Sequence, residues 1–173
     1  MSASRFPRSA ANWLTVALAL IGAASAPIAH ALDVRCWIYL PAHIAPLLAG
    51  LLLGTSRGLL VGVCVAGADL LLGGKLEGLR AYAVMTELVT YGFVAGALRS
   101  ESTTIGGNLR ALIGAMLAGR LAYLMWSISL GRELARSLQG LFVTPLPGIL
   151  LQLVALPALA VILHRWINPQ LSS

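Results

Sequence analysis

Apolar residues along this chain come in long runs, and charged residues stand mostly at the ends of those runs. Read against their charged boundaries, the runs cover about 12–31, 43–55, 57–74, 80–98, 109–130 and 146–165. Most approach the roughly 20 residues that a helix needs to cross a bilayer. The second is short and contains Pro46. Gly73-Gly74-Lys75-Leu76-Glu77-Gly78 separates the third run from the fourth, and the polar string from Arg99 to Asn108 separates the fourth from the fifth. Both are turn-rich and read as loops. Residues 131–145 carry Arg132, Glu133 and Arg136 ahead of Pro145 and Pro147, which suits a short surface helix. The pattern predicts an all-α membrane protein, a bundle of six transmembrane helices forming one domain over residues 1–173.

Composition agrees: 58% of residues are hydrophobic and 10% charged, where a soluble domain carries about 25% charge. Six spans would take roughly 120 residues, leaving too little polar chain for an extramembrane catalytic domain. The net charge of +6 is spread over run ends without interleaved aromatics, which argues against nucleic-acid binding and fits arginines marking helix ends near headgroups. Cys36 lies in a loop and Cys64 within an apolar run, so neither a disulfide framework nor a metal site is expected. His30, His43 and His164 lack ligand spacing, and no nucleotide-binding loop or catalytic triad is present. The expectation is no metal, no cofactor and no enzyme activity; active transport would need a borrowed ATPase.

An even number of spans puts both termini on one side. Placing them in the cytoplasm puts Arg5, Arg8, Arg57, Arg99, Arg110 and Arg165 inside, against Arg35, Lys75, Arg80, Arg132 and Arg136 outside. This is a slight positive-inside bias. The first run has a second reading as a signal peptide, with Arg5 and Arg8 as a basic region and Ala29-His30-Ala31 as a cleavage pattern.

Asp69, Glu87 and Arg120 lie inside apolar runs. An ionised side chain there costs at least about 2.5–3.5 kcal/mol, so each must face protein or water. Counting about 1.5 Å per residue, all three fall in the middle-to-outer layer. They therefore form either a polar cavity opening outward or an ion pair that locks helices together. Tyr91 follows Glu87 by one turn and Tyr123 follows Arg120 by three residues, so each shares a face with a charge and suits a planar solute. Trp126 and Tyr123 also fit an aromatic belt. Gln152, just inside the last run, is a candidate for a solute contact or an interhelical hydrogen bond. His43 opens the second run on the same outer side. In the first run, Ala19-x-x-x-Ala23 and Gly22-x-x-x-Ala26 form a small-residue strip suited to internal packing or to docking another membrane subunit.

Pro41-Ala42-His43-Ile44-Ala45-Pro46-Leu47-Leu48-Ala49-Gly50, Met85-Thr86-Glu87-Leu88-Val89-Thr90-Tyr91-Gly92, Ala118-Gly119-Arg120 and Pro147-Gly148-Ile149-Leu150-Leu151-Gln152 together resemble the substrate-binding S components of energy-coupling factor (ECF) vitamin transporters, in a branch of unassigned substrate. The resemblance implies six helices, an outward-facing site roofed by the loop joining the first two, and docking on a transmembrane T subunit driven by paired ATPases. Ala19 and Ala23 match the strip that touches the T subunit in that family. The family branch commonly has G-M-P-P after its third helix where this chain has Gly74-Lys75-Leu76-Glu77, which leaves the identity of the solute open. The sequence-level expectation is a solute-binding subunit in the bacterial inner membrane, for a vitamin-like micronutrient bound by His43, Asp69, Glu87, Tyr91, Arg120, Tyr123 and Gln152. The alternative is a small membrane enzyme or a scaffold subunit of another complex.

Overall fold

A computed structural model describes residues 6–32, 38, 40–71, 79–100 and 104–167. Among them every regular element is helical: α1 (Arg8–Ala31), α2 (Pro41–Leu53), α3 (Thr55–Leu71), α4 (Leu79–Leu98), α5 (Ile105–Ser129), α6 (Leu134–Leu138) and α7 (Leu146–Ile167), with a π-helical turn at Gln139–Val143. Three helices are long and apolar enough to cross a membrane, namely α1 over Arg8–Ala29, α5 and α7. The apolar stretches Pro41–Leu53 and Tyr82–Leu98 are shorter.

The helix ends follow local chemistry. Pro41 starts α2 at a position where its missing N–H costs nothing. Gly54, at φ 90°, breaks the chain between α2 and α3 with a conformation that a β-carbon would strain. The fifth helix begins at Ile105, four residues before the apolar run, so Ile105 to Asn108 are helical and not loop. The reason is Thr104, whose hydroxyl accepts the Gly107 N–H at 3.1 Å and caps the first turn despite two glycines. The surface helix expected over 131–145 resolves into α6 and the π-helical turn, largely exposed, with buried Ser137 hydrogen-bonded to Ser127 of α5 at 2.9 Å. The Gly73–Gly78 string lies outside the described residues.

Consecutive helices α2, α3 and α4 run antiparallel. Arg99, just past α4, donates to the Leu52 carbonyl at 3.1 Å near the end of α2, and Arg57 near the start of α3 donates to Asn12 in α1 at 3.0 Å. The cytoplasmic-side arginines of the sequence reading thus include two, Arg57 and Arg99, that gather at one end of the bundle.

The short α2 is the centre. It packs against α1, α3, α4, α5 and α7, and ten of its thirteen residues, from His43 and Ala45 through Leu53, are buried. Such central placement needs small neighbours. A β-carbon on Gly50 would sit 2.5 Å from the Gly92 carbonyl of α4, and one on Gly62 of α3 would sit 2.7 Å from the Leu88 carbonyl. Backbones at this range pack by direct van der Waals contact, the main source of helix association in lipid. In α1, Gly22 is held by Ala45 and Val65, while Ala19 and Ala23 are half-buried and Ala19 packs on the core rim.

Candidate functional site

Helices α2, α4, α5 and α7 carry polar side chains into this apolar interior. Glu87 on α4 is 2% exposed and Arg120 on α5 is 5% exposed. The Arg120 Nη1 lies 3.1 Å from Glu87 Oε1. The Tyr91 hydroxyl, one turn along α4, donates to the same oxygen at 2.8 Å. From α2, His43 Nε2 lies 3.6 Å from Glu87 Oε2, and its ring tilts against Tyr91 with centroids 5.3 Å apart.

One buried carboxylate therefore gathers three partners from three helices. Without them it would be expelled or neutralised, because an unpaired carboxylate in a low-dielectric interior is too costly to hold. Gly119 makes the arrangement possible, since a β-carbon there would run into the Tyr91 ring. The ring can then lie against α5 with its hydroxyl directed at Glu87.

The fourth helix enters through a backbone group. Leu40, the residue before Pro41, has φ 52° and ψ 49°, the left-handed region. Its carbonyl accepts the His43 N–H at 3.1 Å and the Gln152 Nε2 at 3.2 Å. The Leu40 corner thus ties α7 to the turn of helix that presents His43. Sequence reading passed over Leu40 and weighed Gly119 only within the resemblance. An X-Pro step favours an extended preceding residue, so nothing in the sequence signalled the left-handed Leu40.

The cluster is incompletely satisfied. Among the described residues, Arg120 Nε and Nη2 and His43 Nδ1 and Nε2 are buried with no hydrogen-bond partner. Native interiors leave few such groups, and each calls for an explanation.

The remaining candidates are placed as follows. Asp69 is half-buried on α3, and Tyr123 is half-buried one turn beyond Arg120. Neither is among the polar groups that touch Glu87, which are His43, Tyr91 and Arg120. Trp126 stacks on Tyr82 with centroids 6.5 Å apart, and both rings are exposed, as an aromatic belt requires. His164 stands near the far end of α7 against the Phe6 ring at 5.6 Å. Cys64 is exposed and unbridged.

Chemically the cluster is a set of donors around one negative charge, held by four helices in a buried interior. It can bind and orient an acceptor. Compared with protein-family models, curated proteins and solved structures, the chain matches none.

Proposed function

We propose that the chain is a solute-binding subunit of a membrane importer, of the kind formed by the S components of ECF transporters, for a vitamin-like micronutrient. The observation that carries it is the buried His43–Glu87–Tyr91–Arg120 cluster, with two guanidinium nitrogens and both imidazole nitrogens lacking hydrogen-bond partners among the described residues. A pair whose only role was to lock helices would gain most from complete satisfaction. Open donors are what a ligand completes.

In this proposal six of the helices, all but α6, cross the bacterial inner membrane, with both termini cytoplasmic and the His43 end of α2 toward the outside. Gln152 and the Leu40 corner hold α7 against the site, while Asp69 and Tyr123 line its approach. Uptake depends on a T subunit and paired ATPases, with Ala19 and Ala23 on the docking face. No step of bond making is assigned to the chain.

The test is native mass spectrometry of the detergent-purified protein. A stoichiometric small-molecule adduct released on denaturation supports the proposal. Absence of any adduct, together with solute uptake by the chain alone in liposomes without ATP, would overturn it.

A further inference from the structure

Arg120 offers more than a positive charge. Its guanidinium is planar, and Nε–H and one N–H of Nη2 point the same way along one edge, a fork matched to two acceptor oxygens. Glu87 occupies the other side through Nη1 at 3.1 Å. The fork itself is buried, and among the described residues Nε and Nη2 both lack a hydrogen bond.

Glu87 does not exhaust the guanidinium electrostatically. Its Oε1 also accepts from Tyr91 at 2.8 Å, and its Oε2 faces His43 at 3.6 Å. The negative charge is thus shared between the Arg120 and Tyr91 donors, with the His43 ring nearby, leaving the free edge of Arg120 as a charge-assisted donor pair. Both His43 ring nitrogens are likewise buried without a hydrogen bond among the described residues.

We propose that the solute carries a carboxylate that docks side-on against the Nε and Nη2 edge of Arg120. This rests on the cluster being the solute site. Two observations select this class. Planarity and the parallel spacing of the two donors match a two-oxygen group, whereas a single carbonyl leaves one buried donor empty. Among the described residues one guanidinium, Arg120, contacts Glu87, which already opposes its charge, so a phosphate of nearly two negative charges would be undercompensated in a buried site. A singly charged, planar carboxylate is the anion that this edge balances best.

The test uses benzoate, its neutral isostere benzamide, and phenylphosphonate, each titrated into the detergent-solubilised protein while thermal unfolding is followed. Benzoate should raise the melting temperature saturably, and the other two should not. Arg120→Lys keeps the charge beside Glu87 but removes the fork, and it should weaken the benzoate effect by about tenfold or more. Benzamide or phenylphosphonate acting as well as benzoate, or an unchanged benzoate response in Arg120→Lys, would overturn the proposal. The adduct released from the wild-type protein gives a second readout. Methyl esterification should raise its mass by one CH2 unit per acid. A released solute with no esterifiable acid overturns the carboxylate and leaves solute binding standing, whereas no adduct and no response to any probe overturns both.

Discussion

Replacing Gly50 with alanine tests the central packing of the bundle and its link to the site. A β-carbon there would lie 2.5 Å from the Gly92 carbonyl oxygen, 2.8 Å from the Ala95 β-carbon and 2.9 Å from the Gly96 nitrogen. All three belong to α4, and none is the tip of a flexible side chain. Restoring contacts of about 3.0–3.4 Å requires α2 and α4 to part by roughly 0.5–0.9 Å, the range in which overpacking costs about 1–3 kcal/mol. The gain from alanine in a helix offsets about 0.5–1 kcal/mol of this, for a net loss near 0.5–2 kcal/mol. At about 2–4 °C per kcal/mol for a chain of this size, melting should fall by about 1–8 °C. Gly67→Ala is the matched control, since a β-carbon there meets nothing within 4 Å. It should raise melting by about 1–4 °C. Opposite signs from one substitution at two helical glycines are the decisive outcome. His43 lies about 10 Å along α2 from Gly50, so the same separation should lengthen its 3.6 Å approach to Glu87 and weaken solute binding. Thermal unfolding in detergent measures both variants, and Gly50→Ala melting at or above Gly67→Ala would refute the packing account.

Glu87→Ala leaves the Arg120 guanidinium buried and uncompensated, and should destabilise by about 3–5 kcal/mol, whereas the double variant Glu87→Gln with Arg120→Met should cost less than the sum of its parts; denaturant unfolding in detergent measures the cycle, and additive costs would exclude a coupled pair. In a background with Cys36 and Cys64 replaced by serine, an impermeant thiol reagent applied to intact cells should modify Leu71→Cys and spare Thr104→Cys; the reverse pattern would invert the proposed orientation. Ala23→Trp should abolish co-purification with the T subunit while solute binding persists, and a retained complex would remove this strip from the docking face.

The helices were legible in the sequence because charge stands mostly at the ends of long apolar runs. Their ends were less so. Ile105-Gly106-Gly107-Asn108 reads as a turn by composition, and only the Thr104 cap, a side-chain-to-backbone bond, makes it a first helical turn. Glu87 and Arg120 stood out because each is expensive in an apolar run, and Tyr91 followed from its position one turn after Glu87. Pairing them across helices was beyond reach of period alone, because it depends on Gly119 admitting the Tyr91 ring against α5, while Gly50, Gly58, Gly62, Gly92 and Gly96 draw α2, α3 and α4 together at backbone distance. The bond from Gln152 to Leu40 spans 112 positions of sequence and rests on a left-handed residue at an X-Pro step, which no pattern of polarity encodes.

The central claim is that the Glu87–Arg120 cluster holds a solute, and occupancy of the purified protein tests it most directly. Native mass spectra of the wild type and of the Glu87→Gln with Arg120→Met double variant, each checked for a cooperative melt, should show a small-molecule adduct on the first and none on the second. An adduct retained by the folded double variant, or absent from the wild type as well, would contradict the account and leave the cluster as a lock between helices.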